Sequence, residues 1–356
     1  MPFLTVKHSY PLLDVYPPKK MWKKTVFKIL RFSLPVAIIA WLLYSVDEQQ
    51  LQDLQSREKD WGQLSVAYLI ALTATCLTFV RWYILVRALD LQFRLKDAFR
   101  LGFLGYLFNF VSIGVVGGDL FKAIFIAHEQ PGKRPEAVAT VVVDRVIGLY
   151  GLLVLTTITI LVNGIHYLGG SPNGDLDVTM ICRSTLFATT VGTIGLIAVL
   201  IPRVTQSPLI RWVGSLPKIG GILERLIDAV QMYRLRAPIL LGSCVMSVAT
   251  HAMFVISIYL IATALYPQTP SIGAHFIIAP LANAAAALPF TPGGLGVYEA
   301  TMDALYHIIP GEGNASIVSG FIVALAFRFV TILVAAFGAI VYWTSRREVK
   351  ELMRQP

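Results

Sequence analysis

Two short stretches hold much of the polar chemistry in an otherwise apolar chain. The first is "VGGDLFKA", Val116 to Ala123, which sets Gly117, Gly118, Asp119 and Lys122 close together. The second is "LPFTPGGLGVYEA", Leu288 to Ala300, which contains Gly293, Gly294 and Glu299. An arginine follows each in the next apolar run: Arg145, beside Asp144, and Arg328. Glycine tolerates positive φ and lets another chain or a ligand approach closely. A helix that starts after such a turn has unpaired amides and the positive end of its dipole at that point. Phosphate is the obvious anion for two such ends, and Lys122, Arg145 and Arg328 carry the matching sign. Charges inside an apolar run are costly, so they face a cavity or a partner.

Each residue also has a plainer reading. Asp119 and Lys122, three apart, either pair along one helix or meet a ligand. Asp144 and Arg145 are adjacent and cannot share a helix face, so each needs its own partner. Arg328 has no acidic neighbour in its own run. Glu299 and Asp303 share a face, and three roles fit them: proton carriers for coupling, contacts for the cationic part of a headgroup, or partners of Arg145 and Arg328. Arg81, near the end of its run, reads as a snorkelling side chain. His251 reads as a helix–helix hydrogen bond, and Asn109 and Asn283 as ties for loose backbone. There is no Ser-His-Asp set, no DxD nucleotide site and no metal-ligand spacing, and Cys76, Cys182 and Cys244 form no metal pattern. No catalytic residue, metal or cofactor is expected.

The elements that must position these residues follow from composition. Of 356 residues, 56% are hydrophobic and 14% charged, against about a quarter charged in soluble domains. Mean hydropathy is +0.66. An all-α polytopic membrane protein is expected. Runs of about 20 apolar residues, the length that crosses a bilayer, lie at Val26–Val46, Leu64–Val86, Ala137–Val162, Arg183–Ile201, Pro238–Leu265 and Ala315–Trp343. Two further regions, 98–129 and 275–309, break at the glycine stretches and read as re-entrant hairpins. The polar, proline-broken N-terminal stretch reads as no cleavable signal, and the first run as a retained anchor.

Charge sets the orientation. Six spans and two hairpins make 1–25, 83–97, 128–136, 202–237 and 344–356 cytoplasmic, with five, three, two, six and four Lys+Arg. The outer pieces hold only Arg57 and Lys59, as the positive-inside rule requires. That placement explains the net charge of +9 without nucleic acid. The expected organisation is a cytoplasmic tail 1–25, a first membrane repeat 26–162, an outer linker 163–182, a second repeat 183–343 and a cytoplasmic tail 344–356. The two repeats run span, span, hairpin, span with inverted topology, a layout of many secondary transporters. Linker 202–237 contains "GGILERLIDAVQMYRLR", whose apolar spacing and basic residues suit a helix on an anionic membrane surface.

The stretch from Val80 to Ala127 resembles the flippase-like family, which includes the membrane domain of lysylphosphatidylglycerol synthetases. The resemblance rests on Arg81-Trp82, Asn109, Gly117-Gly118-Asp119 with Lys122, Asp144-Arg145, and Leu288 to Ala300, and extends over roughly residues 25 to 345. Lys122 stands where arginine is more usual, and a lysine makes no bidentate fork to phosphate. The resemblance implies movement between leaflets of an anionic or aminoacylated phospholipid, or a lipid-linked sugar. It does not imply aminoacyl transfer. The expected setting is the plasma or inner membrane with both termini cytoplasmic, and the expected partners are membrane lipids with phosphate headgroups. Two other readings stand beside transport: a membrane transferase using Asp119, Asp144 or Glu299 as a base, and a scaffold that holds a cytoplasmic lipid-modifying enzyme through linker 202–237.

Overall fold

The computed structural model describes residues 44, 56, 58–111, 117–163, 176–201, 220–287, 291, 294–309 and 319–354. The first apolar run apart from Tyr44, both hairpin tips at 112–116 and 288–290, and Gly293 lie outside these residues.

Every regular element among the described residues is helical. They are α1 (Trp61–Ala88), α2 (Leu95–Val111), α3 (Gly117–Glu129), α4 (Arg134–Asn163), α5 (Leu176–Leu200), α6 (Gly220–Gln231), α7 (Ala237–Leu265), α8 (Ile272–Ala286), α9 (Val297–Ile308) and α10 (Gly320–Arg354). A 3-10 turn at Arg234–Arg236 precedes α7. Four helical stretches are long and apolar enough to cross a membrane: α1, α4, α7 with that turn, and the first part of α10. They match four of the expected spans. Helix α5 starts at Leu176, seven residues before the expected Arg183.

The caps are local. Asp60 accepts from the Gln63 amide at 2.9 Å at the start of α1. Ser271 does the same for Ala274 at 3.2 Å at the start of α8. At about 1.5 Å per residue, α3, α8 and α9 each span at most about 22 Å, less than the roughly 30 Å of hydrocarbon. None of them crosses alone.

Instead these short helices pair. Asn109 on α2 accepts from the Gly118 amide at 2.9 Å near the tip. At the base, Gln130 donates to the Gln92 carbonyl at 2.7 Å. So α2 and α3 run antiparallel and their outer ends come back together. In the α8–α9 pair, the Tyr306 hydroxyl meets His275 Nε2 at 2.7 Å at the base. The corresponding base positions of the first pair, Ala98 and Ile126, are wholly buried in an apolar cluster.

The helix contacts are symmetric. Exchanging α1 with α7, α2 with α8, α3 with α9 and α4 with α10 maps each substantial contact among these eight onto another. The α1–α7 contact maps onto itself and is the most extensive. These two helices run antiparallel: Gln63 bonds to Thr263, the Ser257 hydroxyl donates to the Ala67 carbonyl at 2.8 Å, and Tyr233, just before the turn that leads into α7, donates its hydroxyl to the Leu85 carbonyl at 3.0 Å. Small residues allow the approach. Ala67, Ala71 and Ala74 on α1 and Thr250 and Ser257 on α7 are all buried. In lipid this close packing and its interhelical bonds replace the hydrophobic drive between helices.

Large apolar side chains such as Leu161, Phe187, Ile194, Leu241 and Ile340 are exposed. On long helices they form the surface that a bilayer solvates. The molecule is a multi-pass membrane protein. Helix α6 packs against α4 and α5, burying Ile227, Ala229 and Val230 and leaving Arg225 and Asp228 outward.

Candidate functional site

A cavity of about 320 Å³ lies between the two symmetric halves. Its wall includes Arg81, Asp119, Lys122, Asp144, Arg145 and Arg328. Helices α1, α2, α3 and α4 contribute from one half, and α7, α8, α9 and α10 from the other. Phe79, Tyr106, Phe254, Tyr298 and Phe327 supply aromatic wall.

In each half a carboxylate on the third residue of the short helix meets an arginine on the long helix that follows. In the first half, Asp119 Oδ2 stands 3.6 Å from Arg145 Nη1, and Asp119 Oδ1 stands 3.7 Å from Lys122 Nζ. The Lys122 ammonium also lies 5.3 Å from the Trp82 ring centre, a cation–π distance. In the second half, Arg328 Nε donates to Glu299 Oε1 at 2.8 Å, and Nη2 stands 2.8 Å from the same oxygen. Glu299 Oε2 accepts from the Gly296 amide at 2.7 Å. The Arg328 guanidinium lies 5.3 Å from the Tyr298 ring centre.

The two centres differ in tightness. Glu299 is wholly buried and hydrogen-bonded on both oxygens. A carboxylate removed from water in this way persists only when so paired. Asp119 is 19% exposed and its cationic partners are beyond hydrogen-bond length.

A third pair lines the same cavity. Arg81 Nε donates to Asp144 Oδ1 at 2.8 Å, and the two side chains are 6% and 14% exposed. The sequence reading of Arg81 as a snorkelling residue does not hold. Its position near the end of an apolar run hid a partner on α4. Asp144 and Arg145 do take separate partners, Arg81 and Asp119, as adjacent residues must. His251 Nε2 bonds to the Gly148 carbonyl at 3.0 Å, the helix–helix bond expected of it.

The glycines work by proximity. A Cβ on Gly118 would sit 2.0 Å from the Gly105 carbonyl oxygen. The absence of that atom lets α2 and α3 touch backbone to backbone and brings Asp119 and Lys122 to the cavity. Gly117 opens α3 beside it. Gly294 has φ +69°, and a Cβ there would meet the Ala286 carbonyl oxygen at 2.7 Å. Asn109 holds the start of α3 through the Gly118 amide, whereas Asn283 donates to Ala279 of its own helix at 3.0 Å.

Asp303 is not among the cavity residues. Its Oδ1 accepts from the Phe321 amide at 2.9 Å at the start of α10, and its Oδ2 lies 4.0 Å from His307. It holds the α9–α10 junction. Sequence reasoning missed the aromatic wall and Arg81. The Arg81-Trp82 pair was the available signal, since Trp82 lies against Lys122 of the first centre and Arg81 pairs with Asp144 on the same wall.

Among the described residues no group of three or more His, Cys, Asp or Glu could hold a metal ion. The arrangement offers a positively biased cavity: four basic groups line it with Asp119 and Asp144, and Glu299 pairs with Arg328 from behind the wall. Its volume lies at the lower end of ligand pockets generally.

Residues 27–338 match the family described as Lysylphosphatidylglycerol synthase TM region. No curated protein matches the chain.

Proposed function

As the chain belongs to the family of lysylphosphatidylglycerol synthase transmembrane regions, we propose that it moves a phosphate-bearing lipid between the leaflets of a membrane. The cargo class is an anionic or aminoacylated phospholipid, or a lipid-linked sugar. The observation that carries this reading is the cavity shared by both halves, lined by four basic and two acidic groups. The substrate-binding set is Lys122, Arg145 and Arg328 with Asp119 and Glu299. Gly117, Gly118 and Gly294 shape the turns, and Gly293 belongs with them by sequence. Arg81 and Asp144 join the set.

On this reading α2–α3 and α8–α9 are re-entrant hairpins. Their short arms and rejoined ends support that. The repeats have inverted topology, supported by the symmetric contacts and by the antiparallel α1–α7 pair. Such a pair crossing one bilayer points its two repeats in opposite directions. The charge distribution supports cytoplasmic termini and a cell membrane whose inner face meets the basic linker.

The test is lipid movement in proteoliposomes with fluorescent anionic and zwitterionic lipids. The wild type is expected to move the anionic lipid, and Lys122→Ala and Arg145→Ala are expected to abolish that movement while keeping the wild-type melting profile. A folded wild type that moves no lipid overturns the reading.

A further inference from the structure

The two acid–arginine centres occupy equivalent places, yet only the second is closed by short hydrogen bonds. Counting from the start of each short helix, Asp119 corresponds to Glu299 and Lys122 to Met302. The first centre therefore sets two cations on one carboxylate, and the second sets one on one. Among the described residues, no hydrogen bond reaches Asp119. Its charged partners among them are Arg145 and Lys122, at 3.6 and 3.7 Å. Arg145 is 35% exposed. Charge-assisted hydrogen bonds run about 2.7 to 2.9 Å, so Asp119 offsets one of the two positive charges from between them and is locked to neither cation. Glu299 is locked to Arg328 and to the Gly296 amide.

We propose that the first centre is the anion seat and that Asp119 is its resident counter-anion, which a phosphodiester displaces from Lys122 and Arg145. This rests on the transport reading above and assigns unequal roles within it. Glu299–Arg328 is a fixed pillar of the cavity wall. Asp119 is a competitor for the same two cations as the ligand. An empty cavity with two bare cations would be costly in a low-dielectric setting. Asp119 keeps it neutral enough to exist, and lowers ligand affinity so that release stays fast. A singly charged oxyanion of modest size brings Lys122, Arg145 and the displaced Asp119 to net neutrality, and a dianion overshoots it.

The experiment is calorimetric titration of the full chain in neutral detergent with three probes: inorganic phosphate, glycerophosphoglycerol and dihexanoylphosphatidylglycerol. Asp119→Asn and Asp119→Ser remove the competing charge with little change in size. Each is expected to bind the phosphodiester probes about tenfold tighter than wild type, the order expected for one nearby charge. Adding Lys122→Met to Asp119→Asn is expected to return the affinity toward the wild-type value. Glu299→Gln is expected not to tighten binding. Tightening for inorganic phosphate alone assigns the seat to free phosphate and overturns the lipid source. Binding by wild type that Asp119→Asn and Asp119→Ser leave unchanged or weaken overturns the counter-anion role and leaves the transport reading standing. No binding of any probe to folded wild type or variants overturns both.

Discussion

Gly118→Ala tests the geometry that presents the first centre. The new Cβ would lie 2.0 Å from the Gly105 carbonyl oxygen, 2.6 Å from the Gly105 carbonyl carbon and 2.7 Å from Asn109 Oδ1. A relaxed carbon–oxygen contact is about 3.3 Å or more, so α2 and α3 must part by roughly 1.3 Å. Two of the three atoms are backbone, which cannot swing aside as a side chain does. Parting also strains the Asn109 bond to the Gly118 amide and moves Asp119 and Lys122 off the cavity. Overpacking of this kind costs about 1 to 3 kcal/mol. The helix-propensity gain of alanine over glycine, about 1 kcal/mol at most in a helix interior, does not offset it. Gly242→Ala on α7 is the control, because nothing lies within 4 Å of its Cβ position. Thermal unfolding in detergent is expected to fall by on the order of 5 °C for Gly118→Ala and to hold or rise for Gly242→Ala. Anionic probe binding should weaken only in the former. Equal melting temperatures for the two variants would refute the close-contact account.

Glu299→Gln leaves Arg328 facing a neutral group in a buried site and should destabilise by about 3 kcal/mol. Adding Arg328→Met should recover much of the loss, and strictly additive melting shifts would count against the pillar. Tyr306→Phe leaves His275 Nε2 without its partner at the base of α8–α9 and should cost about 1 to 3 kcal/mol, read as an earlier thermal transition; an unchanged transition would remove the clasp. Asp119→Asn should raise translocation at low lipid fractions and lower the maximal rate, because tighter binding slows release. A raised maximal rate would contradict that.

Much of this architecture was legible because lipid imposes few solutions. Apolar run lengths located α1, α4, α7 and α10, and the broken runs located the two short-helix pairs. The acid–arginine pairs were legible in kind, since an intramembrane charge needs a partner, but their pairing was not. Which carboxylate reaches which arginine depends on how α3 and α9 lean on α4 and α10, and no local pattern encodes that. Arg81 shows the limit most clearly. Its position suggested escape to the interface, but Asp144 on the neighbouring helix gave it a closer partner. Asp303 shows the converse: shared spacing with Glu299 put it on the same face, but the start of α10 reaches it first. The symmetry between halves is carried by lengths and contacts. Only a faint rhyme of residues survives, because lysine in one half and methionine in the other meet different demands.

The most direct test of the central claim is to block the cavity during transport. Thr331 lines it, while Val191 on α5 is exposed among apolar neighbours. With Cys76, Cys182 and Cys244 replaced by serine, Thr331→Cys and Val191→Cys are reconstituted and treated with a charged thiosulfonate, and lipid movement is followed. Transport through the cavity predicts that modified Thr331→Cys stops moving lipid and recovers on reduction, while modified Val191→Cys continues. Full modification of Thr331→Cys, verified by mass, with an unchanged rate would contradict it.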